Sequence, residues 1–219
     1  MVITGSGGFA KQLIEVLAQQ GELEHLCFFD SLNPPAEGGL FGFRVLRSLG
    51  EVSDFFRSTG DARFALGVGQ PQARFRLMEE FTSIGGKAAT LISPHARIGH
   101  FETVIGSGSA ILTGSIIENS VQLGRGCLIN LNCSIAHDTR IGDFTEIGPG
   151  ANISGNCTIG EFSRLGTGVS VIPGISIGKY AVIGAGAVVT RNIPDHCMAA
   201  GVPATVRNNL SDNPDKVSA

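Results

Sequence analysis

The sequence predicts a small α/β domain with a parallel sheet, followed by a parallel β-helix built from hexapeptide repeats. Three observations carry this. An aliphatic residue recurs at every sixth position from Ile105 to Val189. Residues 1–90 lack that period and alternate short apolar runs with amphipathic stretches. A glycine-rich turn, Gly5-Ser6-Gly7-Gly8, joins the first apolar run to the first amphipathic one.

The repeating positions are Ile105, Ile111, Ile117, Leu123, Ile129, Ile135, Ile141, Ile147, Ile153, Ile159, Leu165, Val171, Ile177, Ile183 and Val189. A helix repeats near 3.6 residues and a strand near 2, so neither produces this run. A hexapeptide β-helix does. Each hexad forms one flat side of a triangular coil, with its aliphatic residue pointing inward. Three hexads complete a coil, and such a solenoid buries its core only by stacking coils. Residues 18 apart in the repeat therefore lie above one another. Glycine often follows the aliphatic residue, as at Gly106, Gly124, Gly142 and Gly160. Its conformational freedom suits the corners between sides.

In the first part, Met1–Thr4 reads as a short strand running into the glycine turn. A helix follows from about Phe9 to Gln20, with Leu13, Val16 and Leu17 on one face. The run His25–Asp30 reads as a second strand ending in an acid. A loop rich in Pro and Gly comes next, containing Pro34, Pro35, Gly38 and Gly39. Phe64–Gly67 is a third strand. Gln72 to about Ile84 is helical, with Leu77, Met78, Phe81 and Ile84 on one face. Ala88–Ile92 is a fourth strand leading into the repeat. Alternating strands and helices imply a parallel sheet. The repeat runs from about Ser93 to Ile193, where Pro194 ends it. The expected division is 1–90, 91–207, and a flexible polar tail at 208–219.

Composition narrows the function. A hydrophobic content of 42% fits a well-buried globular protein. The net charge is −3, with no basic block, so nucleic-acid binding has no electrostatic support. No apolar run reaches the length of a membrane span, and no signal peptide opens the chain. The five cysteines are scattered and lack a CxxC pair. They read as small buried hydrophobes in a reducing cytoplasm.

The strongest candidate for chemistry is His137, two places after the core Ile135, at a corner where side chains can leave the solenoid. Imidazole is suited to proton transfer near neutral pH. Asp138 beside it can accept from one ring nitrogen and leave the other to act as base. Gly155 lies one coil above His137, where its N–H could meet an oxyanion. The plainer alternative is a solvated corner histidine beside a solvated acid, with a glycine that only turns the chain. The strand, glycine loop, helix and Asp30 occur in the order of a dinucleotide site. The third glycine of that fingerprint is Ala10, and a lone glycine loop is weak evidence. The other histidines lack ligand spacing with His137, so no metal is expected.

The chain resembles the sugar O- and N-acetyltransferases of the sialic-acid acetyltransferase and PglD type. The likeness runs through the glycine-rich opening, Phe28-Phe29-Asp30, Gly67-Val68-Gly69, Ile92-Ser93-Pro94, Ala136-His137-Asp138 and Ile141-Gly142-Asp143-Phe144. It ends with Gly184–Val189 and Ala200-Gly201-Val202-Pro203-Ala204. The resemblance implies a Rossmann-like first domain and a left-handed β-helix. It implies a homotrimer with active sites between subunits, acetyl-CoA lying along the β-helix, and a nucleotide-linked amino sugar held partly by the first domain. On the family pattern His137 is the base, Asp138 raises its basicity, and Gly155 meets the oxyanion. Glu146, Thr167 and Ala185 fall at acetyl-CoA positions. Gly7, Gly8, Phe9, Asp30 and Gly67 fall at nucleotide-sugar positions. Two residues depart from the pattern, since the family often has His at the places of Phe9 and Glu146. Stacking puts Arg164 above Glu146 as a possible partner.

The leading function is transfer of acetyl from acetyl-CoA to the amine of a nucleotide-linked aminodeoxy sugar. O-acetylation of a sugar such as sialic acid is the alternative, because the same base would serve a hydroxyl. A non-catalytic trimeric nucleotide-binding scaffold is a third reading, opposed by the intact His137-Asp138 pair. A nucleotidyltransferase lacks the cations that a triphosphate needs, since only Lys11 is near the glycine loop.

Overall fold

The computed structural model describes residues 1–33 and 39–210. Pro34, Pro35 and Gly38 of the expected loop lie outside the described residues, as does 211–219 of the expected tail.

The first part is a five-stranded parallel sheet with the order β3-β2-β1-β4-β5. In chain order its elements are β1 (Val2–Thr4), α1 (Gly8–Gln20), β2 (Cys27–Phe29), β3 (Val45–Leu46), α2 (Leu49–Thr59), β4 (Arg63–Leu66), α3 (Pro71–Ser83) and β5 (Lys87–Ala88). β1 and β2 are buried along their whole length, as strands covered on both faces must be. α1 buries Leu13, Val16 and Leu17, and α3 buries Met78 and Phe81, on the faces their spacing predicts. Pro71 sits in the first turn of α3, where its missing N–H costs nothing.

Two elements were not foreseen. β3 and α2 lie where only a loop and a gap were expected. α2 carries a helix-start signal, because Ser48 Oγ accepts the Glu51 N–H at 3.3 Å. The expected strand Ala88–Ile92 is in fact two. β5 closes the first sheet, and Leu91–Ile92 opens the solenoid.

The solenoid has three parallel sides. The first stacks the strands of Ile92, Ile111, Ile129, Ile147, Leu165 and Ile183. The second stacks those of Ile98, Ile117, Ile135, Ile153, Val171 and Val189. The third stacks those of Ile105, Leu123, Ile141, Ile159 and Ile177. Pairing runs 18 apart from Ile105 to Val189, as at Ile117↔Ile135 and Ile147↔Leu165, and closes at 16 with Ile177↔Ile193 and Ile183↔Ala199. On the first and second sides the opening coil is instead offset by 19, with Ile92↔Ile111 and Ile98↔Ile117. One extra residue before Val104 hides that coil from a strict count of six.

The aliphatic residues from Ile111 upward form one buried cluster. A second inward position lies two residues before each of them and takes small side chains, including Ser109, Cys127, Cys133, Thr139, Cys157 and Ser163. Several of these bridge successive coils. Ser109 Oγ donates to Gly124 O at 3.0 Å and accepts the Cys127 N–H at 3.0 Å. Ser163 does the same with Gly178 O and the Ala181 N–H.

The glycines after the aliphatic residue correct the reading given for them. They do not have positive φ. A Cβ at Gly106, Gly142 or Gly160 would lie 2.4–2.5 Å from the backbone of the next coil. Close approach, not dihedral freedom, selects glycine there. The left-handed residue is the third after the aliphatic one. From Gly108 to Gly186 every such position has φ between 54° and 78°, including Asp138, Phe144, Phe162 and Tyr180. Bulky residues in that region are strained.

The first sheet docks on the first side of the solenoid. Leu13 and Leu17 of α1 share a core with Leu91, Ala110, Leu112 and Leu128. α3 grips the corner between the third and first sides. Its Arg74 is 1% exposed. That guanidinium donates to the carbonyls of Gly126 (2.9 Å), Phe144 (2.6 Å), Thr145 (3.2 Å) and Gly69. Burial lowers its pKa to about 10, partly opposed by the Glu146 carboxylate. Phe75 meets Phe144 and Phe162 edge-on at 5.4 and 5.8 Å. Phe144, Phe162, Tyr180 and His196 then stack in a column with centroid spacings of 4.9–5.3 Å. That contact offsets the strain of their left-handed backbone.

A hairpin of Cys197–Ala200 and Thr205–Asn209 closes the first side. Asn208 and Asn209, expected in a loose tail, belong to it. No helix among the described residues is long and apolar enough to cross a membrane.

Candidate active site

His137 lies at the corner between the second and third sides. The left-handed φ of Asp138 turns its carboxylate back toward the neighbouring ring, and His137 Nδ1 lies 2.7 Å from Asp138 Oδ2. Gly155 covers the ring from the coil above. A Cβ on Gly155 would lie 2.7–3.2 Å from the imidazole atoms, so a bare glycine leaves the ring its place. The Gly155 N–H has no hydrogen-bond partner among the described residues. With Nδ1 held by a carboxylate, Nε2 is the nitrogen left for chemistry. His137 and Asp138 are 57% and 55% exposed. A single chain therefore leaves its base in water.

Glu146, Thr167 and Ala185 do not join His137. Glu146 projects from the first side, and Thr167 and Ala185 turn the corner between the first and second sides, on successive coils. The base stands at the far edge of the second side. The stacking partner expected for Glu146 is present, with Arg164 Nε donating to Glu146 Oε2 at 3.1 Å. Its other oxygen, Oε1, lies 3.9 Å from where a Cβ on Gly69 would be. Glu146 thus borders the glycine-rich edge of the first sheet.

A cavity of about 670 Å³ opens there. Gly7, Gly8, Phe9, Asp30 and Gly67 all line it, together with Arg76 of α3. Gly7 and Gly8 face open space, and no side chain caps the N-terminus of α1. Its first amides are thus offered to an anion. Gly67 serves packing, because a Cβ would lie 2.4 Å from Thr4 O. It would also lie 3.1 Å from Ala10, which shows why a small residue suffices at the third fingerprint position. Arg76 is a second cation beside this loop that the sequence did not reveal.

Asp30 is already engaged. Oδ2 accepts from Ser6 N–H at 3.1 Å and Ser6 Oγ at 2.6 Å, and Oδ1 accepts from Leu32 N–H at 3.1 Å and Asn33 N–H at 2.8 Å. Burial pushes its pKa up, but these hydrogen bonds outweigh that and hold it below the usual range. A carboxylate offers about four lone-pair sites, so Asp30 acts mainly as the clasp of the glycine loop.

All five cysteines are buried and free. Burial raises Cys27 and Cys133 to about 11 and Cys127 to about 12. A neutral thiol is a poor nucleophile. At pH 8 the native protein should give no fast reaction with a thiol reagent and five equivalents after unfolding. A rapid native thiol, seen by absorbance, would contradict that.

A triangular solenoid with a His–carboxylate pair beneath a bare glycine, joined to a parallel sheet with a glycine-loop cavity, defines a hexapeptide-repeat acyltransferase. Comparison with known proteins agrees. Residues 1–81 match the PglD N-terminal domain, and residues 156–191 match the bacterial transferase hexapeptide (six repeats). The structure resembles PerB, the perosamine N-acetyltransferase of Caulobacter crescentus, solved in complex with CoA and GDP-perosamine. Identity is 31%, coverage is 94% of this chain and 96% of that one, and the TM-score is 0.86. The acetyltransferase domain of PglB from Neisseria gonorrhoeae FA1090, solved with acetyl coenzyme A, matches at 30% identity. There coverage is 94% and 98%, with a TM-score of 0.86. A GDP-perosamine N-acetyltransferase of Escherichia coli O157:H7 is 29% identical over 148 residues, which span 65% of this chain and 64% of that relative. The chain belongs to the PglD-type hexapeptide-repeat acetyltransferases.

Proposed function

We propose that this protein transfers an acetyl group from acetyl-CoA to the amino group of a nucleotide-linked aminodeoxy sugar, with His137 as general base. The amine lone pair forms a C–N bond to the thioester carbonyl, His137 Nε2 takes the amine proton, and the C–S bond breaks to release CoA. The Gly155 N–H stabilises the tetrahedral oxyanion. The observation that carries this is the 2.7 Å contact between His137 Nδ1 and Asp138 Oδ2. Relatives solved with CoA or acetyl-CoA, one of them a perosamine N-acetyltransferase, and a second GDP-perosamine N-acetyltransferase support an amine as acceptor and GDP as the first nucleotide to try. Glu146, Thr167 and Ala185 are assigned to acetyl-CoA. Gly7, Gly8, Phe9 and Gly67 are assigned to the nucleotide sugar, with Asp30 shaping their loop.

The working unit is a homotrimer. The base and the acetyl-CoA residues Thr167 and Ala185 stand at opposite edges of the second side, with Glu146 on the first side, so a site needs the edge of another copy. The exposed Ile116 and Ile172 on that side suit such an interface. Family membership supports left-handed coils, and a division into 1–90 and a repeat domain from 91 through the strand that ends at Asn209 goes with it. The reduced, buried thiols suit a cytoplasmic protein.

Incubation with acetyl-CoA and a panel of UDP-, GDP- and dTDP-linked amino sugars and the matching sugars with a hydroxyl in place of the amine, read by mass, tests the activity. A gain of one acetyl group on an amino sugar is expected. Acetylation confined to hydroxyl acceptors would overturn it. Asp30→Ala should weaken GDP-sugar binding about tenfold by freeing Ser6, with acetyl-CoA affinity unchanged. Calorimetry showing equal GDP-sugar affinity would remove that role.

A further inference from the structure

The first two coils leave a depression beneath the base, a cavity of about 750 Å³. Its wall includes Arg97, His100, Phe101, Ile116, Glu118 and His137. Register brings them together. Ile98 pairs with Ile117, and Ile117 with Ile135. Gly99, Glu118 and Ala136 therefore form one column, and His100, Asn119 and His137 the next. Gly99 leaves the floor bare, since a Cβ there would lie 2.6 Å from Asn119 Oδ1.

Glu118 is fixed through its backbone. Its N–H donates to Ile135 O at 2.9 Å, and its carbonyl accepts from Thr103 Oγ1 at 3.0 Å. The side chain reaches up one coil, where Oε2 accepts the His137 backbone N–H at 3.0 Å. Oε1 has no hydrogen-bond partner among the described residues. His137 has Nδ1 on Asp138 and one ring face under Gly155. Its remaining edge carries Nε2.

From this geometry we infer that the depression seats the amino-hexose of the acceptor and that Glu118 is its recognition carboxylate. Oε1 accepts a hydrogen from the amine or a neighbouring hydroxyl, while Oε2 steadies the corner that carries the base. The inference rests on the proposed transferase function. An alkylamine is largely protonated near neutral pH; an anion beside the base favours its arrival, and the ammonium gives one proton to water before its lone pair attacks and His137 takes the next. Phe101, 71% exposed, offers apolar surface to a deoxygenated edge of the sugar.

The test uses the full chain as wild type, Glu118→Gln and Glu118→Ala, titrated calorimetrically with GDP, GDP-perosamine and acetyl-CoA. Glutamine keeps an oxygen for the His137 N–H but carries no charge. Wild type should bind GDP-perosamine more tightly than GDP. Glu118→Gln should lose about tenfold for GDP-perosamine, with GDP and acetyl-CoA unchanged. Its acceptor KM should rise more than its kcat falls. A purely structural role predicts damage in Glu118→Ala alone, so a Gln variant matching wild type would overturn the inference. Equal losses for GDP and GDP-perosamine would overturn it too. Wild type that binds neither nucleotide and acetylates no amino sugar would remove the transferase reading itself, and this inference with it.

Discussion

Replacing His137 by alanine should lower turnover roughly 10²–10⁴-fold and leave the fold intact. The ring makes no contribution to the aliphatic core. It hangs at a corner, more than half exposed, held by Asp138 and roofed by Gly155. Asp138→Asn should cost less, because the imidazole remains and only its tether changes. A merely solvated corner histidine predicts almost no effect of either change. CoA release can be followed with a thiol reagent, because the protein's own thiols are buried. Circular dichroism would establish that the variants are folded. Near wild-type kcat in folded His137→Ala would exclude this residue as the base.

The second large effect is on stability. Arg74→Ala should lower it by about 3–5 kcal/mol, because it strips the buried carbonyls of Gly126 and Phe144 and the part-buried Gly69 carbonyl of a donor, and leaves Thr145 O with the Leu128 N–H alone. For a chain of this length that moves Tm by on the order of 10 °C. Arg74→Lys should recover only part of the loss, since an ammonium lacks the planar fork that reaches Gly126, Phe144 and Thr145 together. Calorimetric melting decides the matter, and an unchanged Tm in Arg74→Ala would show that the two halves do not depend on this bolt. Such a result would shift the weight of docking to the Leu13–Leu128 core.

Much of this was legible in the chain. The period of six reports the inward aliphatic row, because every coil repeats the same burial. The spacing of 18 correctly placed Arg164 over Glu146 and Gly155 over His137. What was missed has particular causes. The opening coil carries one extra residue, which breaks a strict count without breaking the stack. α2 announces itself through Ser48, Glu51 and an apolar face of Val52 and Phe56, and only Gly50 in its first turn and the loop before it conceal it. Arg74 reads as a solvated charge on an amphipathic helix, and only tertiary packing turns it inward. Asp30 has the position of a ribose ligand, while its hydrogen bonds to Ser6, Leu32 and Asn33 can be seen only in three dimensions. The glycines after each aliphatic residue were recognised for the wrong property, since contact between coils cannot be told from dihedral freedom in one dimension.

The coil stack also works as a ruler. Neighbouring parallel strands lie about 4.8 Å apart, so each hexad triplet raises the chain by one fixed graduation. Glu146, Thr167 and Ala185 mark three successive graduations. A ligand laid along them is measured against an almost inextensible scale. Deleting one whole coil between Glu146 and Ala185 would keep every aliphatic residue in phase and every corner in shape. It would also shorten the scale by one mark, so the protein would fold and yet misread the length of any ligand that spans it.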